Sequence, residues 1–261
     1  YYNPTARGDK EFYQEWYGTD EEFDVITQAG VRDGDDTAWN HLLNYANSHT
    51  LANMANYKYV ADRLDIPAFI DMLILQIYIG NFDWPGNNWD VHRRRSNEGK
   101  LTFSIWDAEG LAETWEFGSN GESMYKTAFE NFPSWTSPTG LNNLTWEPIS
   151  QLYRALKANP EFRQLFADHV HRYFRNDGIL TKPHLLAKWW EVFAEVSGAL
   201  PETSAFPARY VPDTFIPKRE PHVLTAFANN NLFSTTFGYP IFHINGSYQH
   251  GGYVSSGSTL T

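Results

Sequence analysis

Two carboxylates and one amide in the middle of the chain have the types and the spacing that phosphoryl transfer requires. Asp83 precedes Asn88 by five positions, and Asp107 ends an alternating segment further along. In that chemistry one carboxylate orients the attacking hydroxyl, while an amide oxygen and a second carboxylate hold Mg²⁺ against the phosphates. Turn formation is the competing interpretation for Asp83 and Asn88, since Asp and Asn are common turn residues. For Asp107 the competing role is that of a capping carboxylate.

A helix, a loop and a hairpin are expected to position these three side chains. The helix begins at Asp65 as its N-cap, with Pro67 in the first turn, and its apolar residues recur at helical spacing until Gly80. The segments WDVHRRR and LTFSIW alternate in polarity around the turn-forming SNEGK, which predicts a β-hairpin. The hairpin would return Asp107 towards the loop that follows the helix.

The whole chain is expected to adopt an α+β fold that is mostly α-helical. Apolar stripes predict six further helices, at residues 34–46, 54–62, 147–158, 160–175, 182–200 and 218–229. A long segment, 112–146, is rich in Gly, Asn, Ser, Thr and aromatic residues, with a short helix expected near residues 124–129.

Three parts are expected along the chain. Residues 1–35 are predicted to be an irregular segment with one strand-like run, FDVIT. Residues 36–235 would form the helical domain. Residues 236–261, small and polar, are typical of an interdomain linker or of the start of an adjoining β-domain.

Composition and charge exclude several classes of protein. The 261 residues include 31 acidic and 20 basic side chains, a net charge of -11, which argues against nucleic acid as a partner because phosphate binding depends on Lys and Arg. Cysteine is absent, which excludes disulfides and thiolate chemistry. The longest apolar run, MLILQIYIG, is too short to span a membrane. The first residue is not Met and no signal peptide is evident, so we expect a segment of a longer, multidomain polypeptide.

The central segment resembles the core signature of the CotH family, the spore-coat-protein-H-type atypical protein kinases. In that signature a helix ends in a G-N-x-D-x-x-x-N-N loop, and a hairpin then leads to a W-D-x-D segment. The matching residues are Gly80, Asn81, Asp83, Asn87, Asn88, Trp106 and Asp107. Weaker resemblance in FDVITQAGVRDGDDTAWNHLL and in ARYVPDTFIPKREPHVL extends the similarity over roughly residues 10–235.

The resemblance implies an ATP-dependent kinase with a reduced protein-kinase-like fold, acting on Ser or Thr of a protein substrate. Asp83 would be the catalytic aspartate, and Asn88 and Asp107 would bind the Mg²⁺ or Mn²⁺ that accompanies ATP. Glu109 stands where the family has its second Asp and would reach the metal with a longer side chain. The residues that shape the loop would be Gly80, Asn81, Asn87 and Trp106.

The resemblance also implies that this chain is mainly the C-terminal lobe. The small lobe that covers the nucleotide would precede Tyr1, since no strand with a phosphate-contacting Lys or Arg is evident in the first 35 residues. The basic run HRRR is better explained as a solvated hairpin tip than as a phosphate site, although Arg93 or Arg95 could contact substrate or phosphate. A cell-surface or secreted bacterial location is favoured over a cytoplasmic one.

Two other functions are compatible with the sequence. Loop tryptophans and acidic pairs such as Asp83 and Asp107 would suit an extracellular carbohydrate-active or glycan-binding protein. A catalytically silent scaffold that retains the loop is the other alternative. The amide of Asn88 distinguishes a kinase from a glycosidase, because a metal–nucleotide site uses this amide and a glycosidase has no particular need for it.

Overall fold

The computed structural model describes residues 7–81, 83–96, 99–108, 136–197 and 211–233, together with the backbone of two short strands beyond them. The helices are α1 (Lys10–Tyr17), α2 (Thr37–Ser48), α3 (Met54–Ala61), α4 (Ile66–Ile79), α5 (Pro138–Asn143), α6 (Pro148–Lys157), α7 (Pro160–Phe174), α8 (Lys182–Ser197) and α9 (Ile216–Asn229), the last following a π-helical turn at Val211–Phe215. The strands are β1 (Phe23–Thr27), β2 (Gly30–Asp33), β3 (Trp89–Arg94), β4 (Thr102–Ile105), β5 (His243–Ile244) and β6 (Gly252–Tyr253). The predicted α+β, mostly helical fold is confirmed.

The first four strands form one antiparallel sheet in the order β2-β1-β3-β4. The predicted hairpin is β3–β4, in which Trp89 lies opposite Ile105. Alternate residues of a strand face opposite sides of the sheet. In β3, Trp89 and Val91 therefore join the main core beneath the helices, while Asp90 and His92 face away from it.

Helix α4 lies at the centre of the core because it is apolar on nearly every side. Its N-cap is Asp65, as predicted, and the Asp65 carboxylate accepts a hydrogen bond of 3.1 Å from the Ala68 N–H. Ten of its 14 residues are buried, so contacts on all sides hold it in place. In the part of the chain that the structure describes, no helix, α4 included, is long and apolar enough to cross a membrane.

Helix α1 packs on the other face of the sheet through a buried polar contact. The Tyr13 hydroxyl donates to the Asp90 carboxylate at 2.6 Å, and the Tyr13 ring stacks on His92 with a centroid distance of 3.7 Å. Burial, with the Asp90 charge beside it, raises the pKa of the Tyr13 phenol. Phe23 and Val25 complete a small apolar cluster there. A hydrogen-bonded carboxylate inside this cluster fixes α1 on the sheet.

The first part of the chain differs from the expectation of an irregular segment at residues 1–35. The strand-like run FDVIT is β1, but it is preceded by α1 and followed by β2. Because β1 and β2 share a sheet with β3, the structured unit begins before residue 36. Helix α1 was not predicted from the sequence, because a helix of eight residues is stabilised mainly by packing, here on the sheet.

The other predicted helices are found with boundaries shifted by a few residues. The helix at 218–229 begins earlier, at Ile216, and contains Pro221. The helix expected near residues 124–129 lies outside the described residues, as do the end of the 182–200 helix and most of 236–261. In that last segment the structure pairs β5 with β6 in a two-stranded antiparallel sheet.

Candidate active site

The candidate loop begins where α4 ends at Gly80. Gly80 is the C-cap, with φ 67°, a left-handed conformation that glycine adopts without steric cost. The carbonyl of Gln76 accepts hydrogen bonds from the N–H groups of both Gly80 (3.0 Å) and Asn81 (3.3 Å). The last turn of the helix therefore fixes the direction in which the loop leaves.

A single amide oxygen links the two candidate residues of the loop. Oδ1 of Asn81, which is 1% exposed, accepts from the backbone N–H of Asp83 at 3.2 Å and from Nδ2 of Asn88 at 3.0 Å. The backbone of Asn88 is held from the other side, where Nε2 of buried Gln76 donates to its carbonyl at 3.1 Å. Asn81 thus connects Asp83 with Asn88.

The three predicted chemical residues differ in exposure but lie near one end of the sheet. Asn88 is 4% exposed, whereas Asp83 and Asp107 are exposed. Asn88 immediately precedes β3, and Asp107 follows β4 by two positions. Because Trp89 pairs with Ile105, the register brings Asn88 and Asp107 to the same end of the hairpin. The structure thus groups the residues that the sequence singled out.

Two of the candidate metal ligands, Asn88 and Asp107, have left-handed backbones. Asn88 has φ 62° and Asp107 has φ 52°. This region is unfavourable for most residues, and Asn and Asp tolerate it best because their short polar side chains can bond locally. Such conformations concentrate at functional sites, where the surrounding structure enforces them. Here the hairpin and the contacts of Asn81 and Gln76 with Asn88 provide that enforcement.

Two tryptophans anchor the loop against the core, as the loop composition suggests. Trp84 is completely buried, and Trp89 is 2% exposed. Nε1 of Trp89 donates to the Pro85 carbonyl at 2.9 Å, and the peptide bond between Trp84 and Pro85 is cis. Asn87 is exposed, and its N–H donates to the Asp83 carbonyl at 2.8 Å. The loop is therefore internally bonded, with only a few side chains directed to solvent.

The donor set at this end of the sheet fits Mg²⁺ or Mn²⁺ accompanied by a nucleotide. Hard cations prefer carboxylate and amide oxygens, and Mg²⁺ is commonly bound by one or two carboxylates, waters and substrate phosphates. Asp107 and Asn88 supply one carboxylate and one amide oxygen. Within the described residues, no group of three or more His, Cys, Asp or Glu could hold a metal by itself. Asp107 and Asn88 leave coordination positions that waters and substrate phosphates can fill. Glu109 lies outside the described residues.

The predicted substrate contacts lie at the opposite end of β3. Arg93 is about 17 Å along the strand from Asn88. Both Arg93 and Arg95 pair with the carboxylate of Asp24, which is 3% exposed, at 3.3 Å and 2.6 Å. The hydrogen bond from Arg95 to Asp24 raises the pKa of the Arg95 guanidinium. With α2 and the end of α3, these residues line a cavity of about 720 Å³.

Two buried polar residues around the loop were missed at the sequence level. Gln76 is completely buried, and Arg219, on α9, is 1% exposed and hydrogen-bonds to the last turn of α4. Gln76 had a local signal, because it is the single polar residue of the run MLILQIYI. Arg219 had no local signal, since the charges of PKRE are typical of a solvated helix surface.

Trp106, which was predicted to shape the loop, is 38% exposed.

The structure thus contains the helix, loop and hairpin of the predicted signature, with Asp83, Asn88 and Asp107 at their junctions. The chain belongs to the family described as CotH kinase protein, whose model matches residues 6–181. The family resemblance is thereby confirmed. Comparison with curated proteins found no match, and neither did comparison with solved structures.

Proposed function

We propose that this chain transfers the γ-phosphoryl group of ATP to a Ser or Thr hydroxyl of a protein, in the presence of Mg²⁺ or Mn²⁺. Membership of the CotH kinase family supports the class of reaction. The observation that carries the proposal is the grouping of Asp83, Asn88 and Asp107 by the loop and the β3–β4 register. These are the residue types that phosphoryl transfer uses.

Asp83 is proposed to act on the attacking hydroxyl. Its side chain is exposed, so a hydroxyl of another protein can reach it. As the hydroxyl oxygen bonds to the γ-phosphorus, the hydroxyl proton passes to the Asp83 carboxylate, and the bond from that phosphorus to the bridging oxygen breaks to release ADP. The N–H of Asp83, bonded to Asn81, holds this residue in place during the reaction.

Asn88, Asp107 and Glu109 are the proposed metal ligands. When bound, Mg²⁺ neutralises charge on the phosphate oxygens. The Nδ2 of Asn88 is bonded to Asn81, which orients the amide so that its oxygen can bind the cation. Arg93 and Arg95, at the far end of β3, would contact a distant part of a protein substrate.

Label transfer from ATP tests the proposed function directly. The chain, and any longer natural polypeptide that contains it, are incubated with radiolabelled ATP, Mg²⁺ or Mn²⁺ and a Ser-rich protein or peptide. We expect label on Ser or Thr, abolished by EDTA. Absence of labelling by every form would contradict the proposal.

Two outcomes would favour the alternatives instead. Sugar hydrolysis that EDTA leaves unchanged would indicate a carbohydrate-active protein, for which Trp146, 67% exposed, offers a stacking surface. A melting temperature that Mg-ATP does not raise would indicate a silent scaffold, because a ligand bound only to the native state must increase stability.

Replacement of Gln76 by Met is expected to weaken the metal site. Met has a similar length but no N–H, so the buried carbonyl of Asn88 would lose its donor. We expect the unfolding free energy to fall by roughly 1–3 kcal/mol. The concentration of Mg²⁺ needed for half-maximal activity should rise, since Asn88 would be less firmly held. Urea unfolding and metal titration of the kinase activity measure the two effects.

The matched control for this variant is Gln164→Met. Gln164 is also helical, but it is partly exposed and bonds to Asp168 within its own helix. Gln164→Met should leave both the unfolding free energy and the Mg²⁺ concentration for half-maximal activity almost unchanged. An unchanged metal requirement in Gln76→Met would show that Gln76 only supports the core.

A further inference from the structure

Arg219 of helix α9 places a buried cation at the C-terminal end of α4. Its Nε donates to the Tyr78 carbonyl at 2.6 Å, and its Nη2 donates to the Ile77 carbonyl at 2.7 Å. The guanidinium also lies 5.6 Å from the centre of the Phe215 ring, which packs edge-on against Tyr78. The two hydrogen bonds join residues that are more than 140 positions apart in the sequence.

The hydrogen bonds of Arg219 satisfy two of the last four carbonyls of α4. The last four carbonyls of an α-helix have no partner within the helix. Here the Gln76 carbonyl accepts from Gly80 and Asn81, and the carbonyls of Ile77 and Tyr78 accept from Arg219. A cation is favourable at a helix C-terminus, and the planar guanidinium can bond two neighbouring carbonyls at once. Only an arginine offers this pair of donors.

The same guanidinium lies against the first residue of the candidate loop. A Cβ on Gly80 would come within 3.2 Å of the Arg219 Nη2. The next residue, Asn81, holds the N–H of Asp83 and the side chain of Asn88. A shift of the last turn of α4 would therefore move Asn81 and change the separation of the two residues that it links.

We propose that Arg219 is a positioning residue for the loop that carries Asp83 and Asn88. Arg219 lies beyond residues 6–181, the segment that matches the family. The proposal therefore adds helix α9, through its bonds to the end of α4, to the elements that support the candidate site. The catalytic consequence rests on the proposed function, whereas the ordering of the loop does not. Arg219 itself touches no reacting atom.

The test compares Arg219→Lys and Arg219→Met with the control Lys218→Met. Lysine keeps the positive charge but cannot bond both carbonyls with a planar pair of donors. Lys218 is the exposed neighbour on the same helix, so its replacement removes one charge from the surface. Hydrogen exchange of the backbone amides of residues 81–84 and 86–88 reports loop order without any need for activity. The kcat and KM report the catalytic effect of that order.

We expect loop exchange to become roughly tenfold faster in Arg219→Lys, with a similar fall in kcat and little change in the KM for ATP. Arg219→Met should show larger effects, and Lys218→Met should resemble the wild type. The proposal would be overturned if Arg219→Lys showed the same loop exchange and the same kcat as the wild type. Failure of Arg219→Lys to fold would also overturn it, because Arg219 would then be a general structural residue. An inactive wild type would contradict the proposed function alone, and hydrogen exchange would still decide the role of Arg219.

Discussion

Replacement of Asp83 by Asn is expected to lower the rate of phosphoryl transfer by about 100- to 10,000-fold. Asparagine has nearly the same shape but cannot accept the proton of the attacking hydroxyl. The backbone N–H that bonds to Asn81 remains, and the side chain is exposed, so the fold should not change. The rate with a Ser-containing substrate and the melting temperature measure these two expectations.

The role of Asp83 also predicts what its replacement leaves intact. Because Asp83 acts on the hydroxyl rather than on the metal, Mg-ATP should still raise the melting temperature of Asp83→Asn. Asp177→Asn is a suitable control, since Asp177 is an exposed loop carboxylate between α7 and α8. A variant that retains the wild-type rate would exclude Asp83 as the base. Loss of the Mg-ATP effect would assign it to the metal instead.

The helix, loop and hairpin around these residues follow from local sequence. Asp65 and Pro67 determine where α4 begins, and Gly80 determines where it ends, because each acts within one helical turn. The alternating segments on either side of SNEGK likewise determine the hairpin, whose register brings Asp107 back to the loop. Interactions of short range were therefore sufficient to predict the helix and the hairpin that position the candidate residues.

Contacts between distant segments are what the sequence did not reveal. The guanidinium of Arg219 bonds to α4 across more than 140 positions, and no local pattern distinguishes it from a solvated charge. The same holds for Tyr13, whose bond to Asp90 docks a helix too short to be stable alone. Gln76 lies between these two cases. Its place in an apolar run is a local signal of burial, but the structure alone identifies the Asn88 carbonyl as its partner.

The backbone conformations of Asn88 and Asp107 are supported by the contacts around them. Both residues have left-handed backbones, which Asn and Asp tolerate better than most residues. Buried hydrogen bonds hold Asn88, and the hairpin returns Asp107 to the same end of the sheet. In the proposed function, this arrangement would hold two oxygen donors in position before a ligand binds, which would lower the entropic cost of binding a metal-bound nucleotide.

Replacement of Asp107 by Asn is expected to reduce phosphoryl transfer by at least about 100-fold and to abolish stabilisation by Mg-ATP. Loss of residues that merely support metal ligands already costs up to about 100-fold, so loss of a charged ligand should cost no less. Asparagine tolerates the left-handed backbone at this position as well as aspartate does. The effect should therefore arise from the missing charge rather than from strain.

Asp107→Ala separates charge from backbone conformation. Alanine removes the carboxylate but also disfavours φ 52°, so its unfolding free energy should be about 1 kcal/mol lower than that of Asp107→Asn. Both variants should be equally unresponsive to Mg-ATP in a melting assay, in contrast to Asp83→Asn. If Asp107→Asn retained the Mg-ATP effect while Asp83→Asn lost it, the proposed roles of the two carboxylates would be reversed. The pair of variants thus tests whether the loop and the hairpin perform different steps on one nucleotide.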